Sequence, residues 1–336
     1  MNTQAKPRVA LIGTGGTISS IGRGSLDLWE YMDSSRKAEP DELLVRFPEA
    51  TEAAEIVSVR FRAVGSTAIG PADWLALDAA VHAAVAREAP LDGVVITHGT
   101  ATLEETAYFL NLTLKVDPTV VLVGSQRPAT GLSSDAGLNL LNAVRVAAAP
   151  EARGLGVLVL LNDEIQAARE VTKGSTLRLE TFRSPDLGML GYADPDGRVA
   201  IYRRPSRRHA PTTEFDVRGR IDLPRVDIVA SYAGADGTAI QAFVVAGARA
   251  IVSAALQPGV TTPAETDALL EARRRGVLVV LSSRAGSGRV LPRTILRERG
   301  FVAADNLNPQ KARVLAMLAL TRTDDPAEVQ RMFDEY

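Results

Sequence analysis

Seven short apolar runs, separated by stretches of helical period, constrain this chain more than any other feature. They are Arg8–Gly13, Gly93–Thr97, Thr119–Gly124, Gly156–Leu161, Val226–Ala230, Ala250–Ala254 and Gly276–Ser282. Each is apolar at consecutive positions, as a strand is when helices cover both faces of its sheet. Between the runs, Trp74, Leu77, Val81 and Val85 share one face of a helix expected over Pro71–Ala89. Leu103, Ala107, Leu110 and Leu114 repeat that spacing, and Thr102 with Glu105 stands where a capping box would open the helix. The order reads strand–helix–strand throughout, which predicts an α/β fold with mainly parallel sheets.

At 336 residues the chain exceeds one average domain. Arg203–Pro224 is rich in Pro and charge and has no apolar period. It reads as a linker (203–224) between a larger N-terminal α/β domain (1–202) and a smaller C-terminal one (225–336). Arg203, Arg204, Arg207 and Arg208 read as solvated or interface-facing charges, since no aromatic residue lies among them.

Lys and Arg number 38 and Asp and Glu 40, for a net charge of −2, which argues against a nucleic-acid binder. The absence of Cys removes thiol nucleophiles, iron–sulfur clusters and disulfides. The three His (His82, His98, His209) are far apart, so a His-rich metal site is not expected. Met1–Pro7 lacks the apolar run of a signal peptide, and no stretch approaches the ~18–20 apolar residues of a membrane span. A soluble, cytoplasmic protein with no membrane partner is the expectation.

In α/β sheets ligands gather at the carboxyl ends of strands. Gly13-Thr14-Gly15-Gly16-Thr17-Ile18 follows the first run. It fits neither standard phosphate-loop pattern. It is either a structural turn or a turn that presents a hydroxyl nucleophile, Thr14 or Thr17, among backbone N–H groups suited to an oxyanion. Thr97-His98-Gly99-Thr100-Ala101-Thr102 follows the second run, where ligand binding and simple N-capping by Thr100 or Thr102 both fit. Asn162-Asp163-Glu164 follows the fourth, and Lys173 stands shortly after. Only five of the 38 basic residues are Lys (Lys6, Lys37, Lys115, Lys173, Lys311). Arg keeps its proton in proteins, whereas a desolvated Lys can give it up. Lys173 is therefore the best base available to a threonine, with a surface lysine as its bland alternative.

Taken together, these segments resemble the bacterial-type asparaginase/glutaminase family of amidohydrolases. The matching segments are Thr14–Ile18, Thr97–Thr100 with Thr102–Ala107, Val123–Pro128, Ser134–Gly137, Val171–Lys173 and Leu307–Arg313, in family order over nearly the whole chain. The resemblance implies a two-domain α/β fold and a homotetramer, a dimer of dimers with active sites shared between subunits. It implies a small-molecule substrate and no metal or organic cofactor. It also implies roles: Thr17 as nucleophile, Thr100 and Lys173 as a second threonine with its lysine, and Tyr31 against the nucleophile. Ser66 would hold the substrate carboxylate, with Gly16, Gly99, Thr67 and Ala101 lining the substrate.

The chain departs from the family around one substrate group. Ala101 stands where the family places an aspartate on the α-ammonium, and Thr67 where a polar amide or acid is usual. Ser287–Arg297, matching the segment that brings a further acid, has none and carries Arg289, Arg293 and Arg297. A cation that loses its buried partner costs several kcal/mol. The expectation is a Thr/Lys hydrolase of an amide, cyclic amide, ester or lactone that lacks a free α-amine and is weak on L-asparagine. A conventional L-asparaginase/glutaminase and a non-catalytic ligand-binding relative are the alternatives.

Overall fold

The computed structural model describes residues 5–34, 36–88 and 90–336. The chain divides into two units, Met1–Gly219 and Arg220–Tyr336.

The first unit is built on an eight-stranded sheet. Its strands are β1 (Arg8–Gly15), β2 (Glu55–Val64), β3 (Gly93–Thr97), β4 (Thr119–Val123), β5 (Leu158–Leu161), β6 (Glu164–Ala167), β7 (Gly191–Ala193) and β8 (Val199–Ile201). They lie in the order β8-β7-β6-β5-β4-β3-β1-β2. The five strands from β2 to β5 in that order pair in parallel. Residues 9–12 and 94–96 are fully buried, as consecutive apolar positions require when both faces are covered. On one face the helix Ala136–Ala148 contributes Leu140, Ala143 and Val144 to a core with Val9, Leu11, Val95 and Val121. On the helix pair Pro71–Arg87 and Leu103–Thr113, Trp74 stacks on Phe109 with ring centroids 5.5 Å apart.

The strict strand–helix–strand order does not hold. β6, β7 and β8 add to the sheet antiparallel, with no α-helix between them. Asn162 and Asp163 join β5 to β6 with φ of 53° and 64°. A two-residue hairpin turn with both residues left-handed is what these residue types favour, so the expected ligand turn is a hairpin. β2 carries no continuous apolar run because it is the edge strand, with Arg60 and Arg62 exposed. The capping box at Thr102 does not form either. Thr102 Oγ1 instead donates to the Ser66 carbonyl at 2.9 Å, tying two loops together. Residues 203–219 pack within this unit: Phe215 and Val217 are buried, the Ala210 N–H donates to the Asn111 carbonyl, and Arg203 pairs with Glu170.

The second unit holds a four-stranded parallel sheet, β9 (Val226–Ala230), β10 (Ala250–Ala255), β11 (Leu278–Ser283) and β12 (Phe301–Ala303), in sequential order. The Leu307–Arg313 segment serves this unit's architecture. Asn308 caps the helix Pro309–Ala319 by accepting from the Lys311 N–H at 3.0 Å, and Ser282 Oγ donates to the Leu307 carbonyl. No helix among the described residues is long and apolar enough to cross a membrane.

Candidate active site

At the carboxyl end of β1 the backbone turns through Gly15 (φ 95°) and Gly16 (φ 82°), conformations that side chains rarely adopt. A Cβ on Gly16 would lie 2.2 Å from the Gly99 nitrogen. The two glycines thus let the turn after β1 press against the turn after β3. Thr14 is buried there, its hydroxyl donating to the Thr97 carbonyl at 2.7 Å. Of the two hydroxyls the sequence left open, Thr17 is the one that lines a cleft.

That cleft has a volume of about 200 Å³ and lies between the two turns. Thr17, Tyr31, Thr100, Lys173, Ser66, Thr67, Ala101, Gly16 and Gly99 all line it, so every residue expected at the site meets there. The Tyr31 hydroxyl lies 3.2 Å from Thr17 Oγ1. Burial pushes the Tyr31 phenol up from its ordinary pKa, so it stays protonated at neutral pH. Lys173 sits on a short ribbon, Thr172–Lys173 against Phe182–Arg183, and its Nζ donates to Thr100 Oγ1 at 2.7 Å. Burial lowers the Lys173 pKa, and the carboxylate of Glu104 works against that shift. Glu104 also accepts from the Lys173 N–H at 3.2 Å, anchoring the ribbon.

Ser66 Oγ accepts from the Ala101 N–H at 3.2 Å, which leaves its own proton for a ligand. The Gly16 N–H is committed to the Val64 carbonyl at 2.8 Å. Among the described residues, the N–H groups of Thr17 and Thr100 have no hydrogen-bond partner and are available to a developing oxyanion.

His98 takes no direct part. It is fully buried, and burial lowers its pKa to about 4, so it is neutral near pH 7. Trp74 Nε1 can only donate, and it donates to Thr106 Oγ1 at 3.0 Å. Thr106 then donates to His98 Nε2 at 3.0 Å, and His98 Nδ1–H donates to the Gly99 carbonyl at 2.9 Å. This relay fixes the Gly99–Thr100 turn from behind.

Sequence reasoning missed Ser20, Met32, Lys37, Gln126, Thr176 and Leu177, which also line the cleft. Two of these had a signal. Lys37 is one of the five lysines, and Gln126 lies within the Val123–Pro128 segment. Asp135 holds that segment in place by accepting from the Gln126 and Arg127 N–H groups, each at 2.9 Å. Among the described residues no acidic side chain lines the cleft.

Comparison with known proteins follows the same architecture. Residues 8–207 match the family model of the asparaginase N-terminal domain, and residues 225–333 that of the glutaminase/asparaginase C-terminal domain. The chain is 42% identical to L-asparaginase 2 of Bacillus subtilis, covering 98% of this chain and 87% of that protein. It is 41% identical to a glutaminase-asparaginase of Pseudomonas fluorescens, covering 98% and 90% respectively. Among solved structures, a probable cytoplasmic L-asparaginase from Campylobacter jejuni aligns with a TM-score of 0.94 at 40% identity, over 98% of this chain and 100% of that one.

Proposed function

Because this chain belongs to the asparaginase family of amidohydrolases, we propose that it hydrolyses a substrate without a free α-amino group, through an acyl-enzyme on Thr17. The substrate is an amide, or a cyclic amide, ester or lactone, and activity on L-asparagine is weak. One observation carries this reading. The Thr17–Tyr31 and Thr100–Lys173 pairs line one cleft, and no acidic side chain among the described residues lines it with them.

In the proposed mechanism Thr17 Oγ1 bonds to the acyl carbon while the Thr100–Lys173 pair takes up its proton. The N–H groups of Thr17 and Thr100 hold the oxyanion. The carbon–nitrogen bond then breaks, and the amine leaves with the proton that Lys173 returns. Water attacks the acyl-Thr17 ester with the same pair as base, and the free acid departs. Tyr31 orients the Thr17 hydroxyl. Likeness to the family supports a homotetramer as the working assembly, and the name of the Campylobacter relative supports a cytoplasmic location.

Lys173 must be neutral to accept a proton, so kcat/KM should climb with pH and level off above the Lys173 pKa. Burial brings that pKa below the ordinary lysine range, while Glu104 raises it. Glu104→Gln removes the raising influence, so the rising limb should move to lower pH. pH profiles of kcat/KM for the two proteins test this, and a limb that stays or moves upward contradicts the assignment to Lys173.

The names of the relatives support a second reading, a conventional L-asparaginase/glutaminase that releases ammonia from the amino acid. Ala101 and Thr67 weigh against it. Kinetics on L-asparagine and on succinamic acid, the same molecule without its α-amine, separate the two.

A further inference from the structure

The residues that line the cleft differ in burial and in character. Tyr31, Ser66 and Thr100 are buried, whereas Met32 and Leu177 line the same cleft with 56% and 69% of their surface exposed. Among the described residues these two are its large aliphatic side chains. A single exposed leucine is ordinary on a protein surface. Two aliphatic chains that enter one hydrolytic cleft from separate segments are different, because each offers apolar area where a ligand binds.

Both stand on segments fixed by the catalytic pairs. Met32 follows Tyr31 on the helix Tyr31–Ser34, and Tyr31 is held by burial and by its bond to Thr17. Leu177 lies in the loop that runs on from Lys173, and Thr181 closes that loop. The Gly174 N–H donates to the Thr181 carbonyl at 2.7 Å, and the Ser175 N–H donates to Thr181 Oγ1 at 2.8 Å. Thr181 Oγ1 in turn donates to the Ser175 carbonyl at 2.6 Å, and the Arg178 N–H donates to Ser175 Oγ at 3.3 Å. Thr181 is itself buried, so the loop that presents Leu177 is anchored.

We infer that Met32 and Leu177 seat an apolar leaving group, so that the substrate is an N-alkyl amide or an alkyl ester rather than a primary amide that releases ammonia. The bond between the acyl carbon and the departing nitrogen or oxygen breaks. The acyl carbon stays on Thr17 until water takes it, and the alkylamine or alcohol leaves with the proton that Lys173 returns. Burying the alkyl chain against the two side chains removes apolar surface of both partners from water. This deepens the function proposed above and rests on it for the reaction, but the seat can be tested without turnover.

The test is the affinity for 4-oxopentanoate and 4-oxodecanoate, measured by calorimetry near pH 7. Each has a ketone carbon in place of the acyl carbon, so neither can be cleaved, and they differ only in the alkyl chain at the leaving position. A fully buried methylene tightens binding by about fourfold. With about half of the longer chain covered, the wild-type protein should prefer 4-oxodecanoate by about thirtyfold. Met32→Gln combined with Leu177→Asn keeps the side-chain size and should lower that preference at least fivefold or so, leaving 4-oxopentanoate affinity within about threefold. Leu177→Met should keep the preference. A wild-type preference below about threefold, or a double variant that retains the full preference, overturns the seat. So does a double variant that changes only the oligomeric state in sedimentation, since the two side chains would then serve a second copy of the chain. A seat confirmed in a protein that cleaves neither N-hexylsuccinamate nor the monohexyl ester of succinate would instead overturn the proposed reaction.

Discussion

Thr17→Ala is expected to lower kcat by at least about 10⁴-fold, as removal of a covalent nucleophile does when the residual catalysis comes from binding and oxyanion contacts. At 1.36 kcal/mol per factor of ten, that is roughly 5 kcal/mol of transition-state stabilisation. The loss should fall on kcat, with ligand affinity nearly unchanged. Thr17 is half-buried, and its side-chain bond is to a single hydroxyl, that of Tyr31 at 3.2 Å. Ala therefore fits without disturbing the core. Thr17→Ser should recover part of the rate because the hydroxyl is kept. Lys173→Met should lower the rate in the same direction by about 10²–10⁴, the range of a general base. Activity of Thr17→Ala within tenfold of the wild type would remove Thr17 from the chemistry. A wild-type protein that binds ligand without turnover would instead point to a binding relative.

The second large effect is discrimination against the α-ammonium. kcat/KM for succinamic acid should exceed that for L-asparagine by about a hundredfold or more. A fully buried site built around one polar group separates analogues by ~10⁴–10⁵ when the pairing is lost. Here Ala101 and Thr67 are exposed at the cleft, so water can still hydrate part of the ammonium, and the lower figure is the appropriate one. The exposure of Ala101 also leaves room for a larger side chain. Ala101→Asp should raise activity on asparagine and depress activity on succinamic acid, because the new carboxylate attracts the ammonium and repels the anion. Asparagine hydrolysed as well as succinamic acid, with Ala101→Asp changing neither, would favour the conventional L-asparaginase reading.

The parts of this account that were legible in the sequence share a physical cause. Strands β1, β3, β4, β5, β10 and β11 lie almost wholly buried, so burial writes itself as consecutive apolar residues. β2 escaped notice because an edge strand needs only partial burial, and its arginines break the run. Asn162 and Asp163, at the carboxyl end of a strand, suit a ligand turn and a hairpin alike, and only their positive φ values separate the two. At the site, Lys173 stood out because lysine is rare in an arginine-rich chain. Thr14 and Thr17 were equivalent on paper, and only the bond from Thr14 to the Thr97 carbonyl separates them. Lys37, Ser20 and Gln126 were not legible as lining one cleft. Lys37 and Ser20 reach it from a two-residue ribbon and Gln126 from the turn after β4, and neither leaves a periodic trace.

Everything proposed for the reaction requires that Thr17 become acylated. The most direct measurement is peptide mass spectrometry of protein quenched in acid within the first turnovers on succinamic acid, repeated with Thr17→Ala. The expected result is a succinyl adduct confined to the peptide containing Thr17, removed by hydroxylamine and missing from the variant. An adduct on Thr100, or one that persists in Thr17→Ala, would contradict it.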